Sequence, residues 1–75
     1  MTTKEKALFI QKIDFIVQDD EKNSDYQEFV DHLEQIYQSS KGRGNGWTGI
    51  AEKDSGQIER LYPVVLAFAN RVGLE

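Results

Sequence analysis

The segment Trp47-Thr48-Gly49-Ile50-Ala51-Glu52-Lys53-Asp54-Ser55-Gly56-Gln57-Ile58-Glu59-Arg60-Leu61-Tyr62 decides between two folds. Its apolar residues run on through Ile58, Leu61, Tyr62, Val65, Ala69 and Val72 at helical spacings of three and four. Asp54 or Ser55 stands where a helix N-cap belongs, since either side chain offers an oxygen to an open backbone N–H. Pro63 falls inside the pattern. It removes one backbone donor and crowds the carbonyl of Glu59, so the helix should kink there or begin near Tyr62. Gly73 follows the last periodic residue, as a C-terminal glycine should. The alternative is a hairpin around 47–61 with Asp54-Ser55-Gly56 as its turn, which would make the domain α+β. The spacing favours helix, with a short helical turn after Thr48.

Upstream, two further helices are legible. Thr2 with Glu5 matches a capping box, and Lys4 to Val17 carries apolar residues at 9, 13, 16 and 17, widened by Leu8 and Phe15. Gln18 to Asn23 is a polar connection. Ser24 with Gln27 repeats the capping-box signature. Tyr26, Phe29, Val30, Leu33, Ile36 and Tyr37 then follow at spacings of three and four, the clearest amphipathic pattern in the chain. The expected fold is all-α: a single domain over residues 1–75, three helices with a Gly-rich connection between the second and third. Its core should contain Phe9, Ile13, Ile16, Phe29, Val30, Leu33, Ile36, Ile58, Leu61, Val65 and Phe68, and residues 39–53 should be its most mobile part. The closing Leu74-Glu75 has the composition of a cloning scar.

Seventy-five residues support only a modest core and net stability of about a few kcal/mol, too little material for a deep cleft. Cysteine is absent, which excludes disulfides and thiolate metal sites and fits a reducing compartment. No run of apolar residues is long enough for a membrane span, and Ala7–Ile10 is too short for a signal-peptide core. A soluble, cytoplasmic protein is expected. The net charge is −4, unevenly spread: residues 13–40 hold eight acids against Lys22 alone, a net of −7. Such a field repels phosphate, so nucleic-acid binding by the whole surface is disfavoured.

Few residues offer chemistry. His32 is the only histidine and reads as a solvated flank of the second helix; a zinc site there would need carboxylates alone to complete it. Asp19 to Val30 fails as a calcium loop, with Ser24 where the turn needs glycine and Val30 where a bidentate glutamate belongs. Asp54-Ser55 precedes a helix as the prosthetic-group serine of carrier proteins does, but Gly56 replaces their leucine, so no cofactor is expected. No serine or cysteine nucleophile lies at a recognisable spacing, so no catalytic residue is assigned.

Two features point to binding. Asp25, Glu28, Asp31 and Glu34 recur every three residues on the polar side of the second helix, either as a solubilising face or as a recognition strip for a basic partner. Ser39 to Gly49 holds four of the six glycines, the only tryptophan and two cations. It lacks Walker spacing. It reads either as a crossover with Trp47 folded back to cap the core, or as an exposed contact tip using Lys41, Arg43 and Trp47. The expected function is a non-enzymatic, protein-binding regulator or inhibitor, of immunity-factor or phage type. It would dock on a larger enzyme through Asp25, Glu28, Asp31, Glu34, Lys41, Arg43 and Trp47. The alternative is an accessory transcription or replication factor that holds a polymerase and touches nucleic acid through the basic loop. The helix–acidic turn–helix–loop–helix order is similar in architecture to the small bacterial immunity proteins of the nuclease colicins, whose Tyr-Tyr-Pro segment is half echoed by Tyr62-Pro63.

Overall fold

The computed structural model describes residues 1–20, 22–40 and 46–74. These form four α-helices and no strand: α1 (Thr3–Asp19), α2 (Ser24–Ser39), α3 (Gly46–Lys53) and α4 (Ser55–Val72). The all-α expectation holds, with one helix more than the three read from the sequence.

The starts of α1, α2 and α4 are each set by a side chain. The Glu5 N–H donates to the Thr2 hydroxyl at 3.1 Å, and the Thr2 N–H donates back to the Glu5 carboxylate at 2.8 Å. This is the expected capping box, and it satisfies two donors that a helix start leaves open. At α2 the expected box at Ser24 and Gln27 does not form. Asn23 caps instead, its side-chain oxygen accepting from Asp25 N–H at 3.0 Å. Asparagine caps as well as serine, and capping one residue earlier makes Ser24 the first helical residue. The Gln27 amide is then released to donate to Asp31 at 3.1 Å.

Asp54 explains why residues 47–62 are two helices and not a hairpin. Its own N–H donates to the Ile50 carbonyl at 2.7 Å, closing α3, while its carboxylate accepts from Gln57 N–H at 3.2 Å, opening α4. Ser55 and Gly56 are therefore the first turn of a helix. They do not turn a pair of strands. Residues 46–53 of the connection expected to be mobile are likewise helical.

α4 begins well before Tyr62 and carries Pro63 inside it. An interior proline costs roughly 3 kcal/mol. Ile58 and Leu61, at 0% and 4% exposure, lie before it on the same buried face as Val65, Phe68 and Ala69. Burying two such side chains returns roughly 3–6 kcal/mol, which outweighs the proline. Gly73 ends the helix at φ +80°, with its N–H on the Ala69 carbonyl.

α1 packs against α3 and α4, and α2 closes over α1 and reaches α4 through stacked rings. The Phe29 and Phe68 rings lie parallel with centroids 3.8 Å apart, and Tyr26 meets Phe68 edge-on at 5.8 Å. Ile13, Phe29, Leu33, Ile58, Leu61, Val65 and Phe68 are buried as expected. Phe9, Ile16, Val30 and Ile36 are only half-buried around the margin. The stripe that α1 buries is Ala7, Ile10, Ile13 and Val17, rotated from the 9-13-16 line. The reason is α3: Trp47, Ile50 and Ala51 form a fourth wall of the core and draw that side of α1 inward.

Candidate functional site

Asp25, Glu28, Asp31 and Glu34 are all exposed on α2. They are not one strip. Three residues turn a helix by about 300°, so each acid stands about 60° behind the previous one, and Glu34 lies about 180° around the axis from Asp25. The set divides between two sides. Asp25 and Glu28 line a hollow with His32, Phe29, Phe68 and Arg71. Asp31 and Glu34 line a depression against Val17, Gln18 and Asp20 at the end of α1.

Trp47 is not an exposed contact. It is 2% exposed, its indole N–H donates to Asp14 Oδ2 at 3.1 Å, and its ring meets Tyr37 edge-on at 5.3 Å. Of the two readings of the loop, the residue follows the one that folds the indole back onto the core. The physical reason is α3, whose first turn carries Trp47 between α1 and α2. An indole held there has no free face on which to stack a base. Lys41 and Arg43 lie outside the described residues.

Two residues to which the sequence assigned no site role, Asp14 and Phe15 (the latter counted only in the apolar stripe of α1), shape this side. Asp14 sits on the buried stripe of α1 between Ile10 and Val17, half-buried, and anchors Trp47 with one oxygen and the Gln18 amide with the other at 2.9 Å. An acid at that phase of an apolar stripe was the signal available. Phe15 is 69% exposed, because the rotated stripe leaves it outside. Its phase was obscured by the apolar residues that surround it on both sides.

Phe15 lines a second depression with Gln11, Asp14, Gln18, Glu34, Tyr37, Gly46 and Trp47. The two depressions, each about 460 Å³, share Gln18 and Glu34 and form one furrow between α1 and α2. Asp14, Asp20, Asp31 and Glu34 stand along it, and no described lining residue is Lys or Arg. Asp14, Asp31 and Glu34 each accept a glutamine amide from one turn away on their own helix, at 2.9, 3.1 and 2.9 Å. These neutral donors orient the carboxylates and leave their charge intact.

The ion pair formed among the described residues lies elsewhere, between Lys6 of α1 and Glu59 of α4. Lys6, and after it the Thr3 hydroxyl, hold the Glu59 carboxyl below its usual range. The Thr2 backbone N–H, and then the Thr2 side chain, do the same for Glu5. Both are structural ties. Among the described residues no group of histidines and carboxylates is arranged to hold a metal ion, and no helix is long and apolar enough to cross a membrane. Compared with protein-family models, curated proteins and solved structures, the chain matches none.

Proposed function

We propose that this chain is a non-enzymatic regulator or inhibitor that acts by docking on a larger protein with a basic surface. The form of regulator proposed is that of an immunity factor or phage-encoded inhibitor, one small acidic chain covering part of an enzyme. The supporting observation is that Asp25, Glu28, Asp31 and Glu34 are exposed on one helix and none is in an ion pair among the described residues. Exposed charges of this kind contribute little to the fold, whereas they steer a positive partner and fix its register. A catalytic reading has less to rest on: the chain has no cysteine, and its single histidine, His32, is exposed on α2.

The test is capture from an extract of the cells that encode the protein, using the wild type beside a variant with Asp25→Asn, Glu28→Gln, Asp31→Asn and Glu34→Gln. The wild type should retain a stoichiometric protein at low salt and release it as salt rises, since screening weakens exposed pairs. The neutralised variant should not retain it. No partner at low salt, or equal retention by both, overturns the reading.

A further inference from the structure

We infer that the furrow between α1 and α2 receives one basic, amphipathic α-helix of the partner. Its apolar face would cover Phe15, and its Lys or Arg side chains would meet Asp20, Asp31 and Glu34. This deepens the protein-binding reading and rests on it.

Three observations select that occupant. The first is chemical: the furrow joins an exposed phenyl ring to a row of carboxylates without a cation among its described lining residues. The segment that complements it must be apolar on one side and positive beside that, which is the pattern of a cationic amphipathic helix. The second is shape. The described residues form no strand, so there is no sheet edge on which an extended segment could add its backbone. A trough between two helices is instead the surface into which a third helix lays its ridge. From Gln11 to Asp20 it runs about 14 Å along α1, roughly two and a half turns of an incoming helix. The third is charge symmetry. A second copy of this chain paired through the same face would set Asp31 and Glu34 against their own counterparts, so like charges would meet.

The other half of the acid set supplies the control. Asp25 and Glu28 face Arg71 and Phe68, on average about 120° around α2 from Asp31 and Glu34, so they carry the same charge but lie outside the furrow. A partner attracted only by net charge would not distinguish the two pairs. A helix seated in the furrow would.

The probe is a synthetic peptide of about 18 residues, long enough to form helix on binding, with leucines at i, i+3, i+4 and i+7 and lysines elsewhere. A peptide of the same composition in scrambled order is its control. Titration into labelled protein at about 0.15 M salt, where exposed charges are well screened, should give saturable amide shifts centred on Phe15, Gln18, Asp31 and Glu34. Phe15→Ser should weaken binding about tenfold or more, as should Asp31→Asn with Glu34→Gln, while Asp25→Asn with Glu28→Gln, which removes the same charge outside the furrow, weakens it distinctly less. The scrambled peptide should bind about tenfold more weakly. Phe15→Ser should retain the wild-type melting curve, so its effect is read on binding alone.

Absence of binding, shifts centred on Asp25 and Glu28, equal losses for the two charge pairs, or no effect of Phe15→Ser would each overturn the inference. So would a sedimenting dimer that Phe15→Ser dissociates, which would assign the furrow to a second copy. If the furrow fails while a stoichiometric partner is still captured by the wild type alone, the docking reading stands and only the place and the partner's chemistry change.

Discussion

The indole N–H of Trp47 donates to Asp14 Oδ2 at 3.1 Å, across a sequence separation of 33 residues, and joins the first turn of α3 to the middle of α1. Removing the acceptor leaves a donor inside the core with nothing to bond. Asp14→Ala should cost about 1–3 kcal/mol, and Asp14→Asn, which keeps an oxygen, distinctly less. Trp47→Ala removes the largest fully buried side chain and should cost about 3–5 kcal/mol, most of what a domain of this size possesses. Denaturant titrations followed by circular dichroism measure all three. A Trp47→Ala protein as stable as the wild type would mean that the indole does not occupy the core.

Gly46 opens α3 at φ +64°, and a Cβ there would also meet Gln11 Oε1 at 3.0 Å. Gly73 has φ +80° with open space around it. Both Gly→Ala changes should destabilise by about 1–2 kcal/mol for the left-handed backbone. Gly46→Ala should cost the more, because Gln11 must also move aside. The two sites are at different helix ends with no shared partner, so the double variant should show the sum of the single losses.

Acid should loosen the contact between α1 and α4 and the N-terminal cap of α1. Glu59, held by Lys6 and then Thr3, and Glu5, held by Thr2, both ionise below the ordinary value of 4.5 in the folded chain. The stability they contribute is fully present above that value. It is lost as pH falls through their lower folded values, because the unfolded chain then binds protons more readily. The denaturant midpoint should therefore be flat from neutral pH down to about 5 and decline below 4.5. Glu59→Gln should lower the neutral-pH midpoint and flatten part of that decline. A midpoint that rose on acidification would contradict the assignment.

Pro63→Ala should stabilise the protein. Alanine restores the N–H that the Glu59 carbonyl lacks and removes the ring from the interior of α4, a gain of up to roughly 3 kcal/mol. Against this, the unfolded chain recovers freedom worth about 0.4–1 kcal/mol. A net increase of about 1–2 kcal/mol is expected by thermal or chemical melting. A net loss would show that the proline sets a bend on which the packing of Phe68 depends.

Phe15→Ser should change stability by no more than about 0.5 kcal/mol, since the ring is 69% exposed and most of its surface already meets water. A larger loss would place Phe15 in the core margin with Phe9 and Ile16.

Local signals carried most of the architecture. Thr2 with Glu5, Asp54 before Ser55, and Gly73 after Val72 are each decided by neighbours a few residues away, and each was readable. Ser24 was misread as a cap because Asn23, an equally good capping residue, stands one position earlier, and spacing alone does not resolve the choice. α3 was seen only as a possible turn, because residues 46–53 are too short for a strong periodic pattern and gain their helix from packing. The site was harder still. The spacing of Asp25, Glu28, Asp31 and Glu34 was plain, but its division between two sides follows from which face α2 buries. Trp47 stood open between a cap on the core and an exposed tip, because glycines and cations precede it. Only its seating against Asp14 and Tyr37 makes it core.

The bonds that hold α1 reach far ahead in the chain. Thr3 and Lys6 close on Glu59, the latter 53 residues away, and Asp14 waits for Trp47. At ribosomal rates of roughly 5–20 residues per second, about 3–10 s pass between synthesis of Lys6 and of Glu59. During that interval Ala7, Ile10, Ile13 and Val17 have left the peptidyl-transferase centre without the α3 and α4 surfaces that cover them. The stripe of α1 therefore has its full cover only once α4 has been made, and a truncated product lacking α3 and α4 would leave that stripe open to chaperones and proteases.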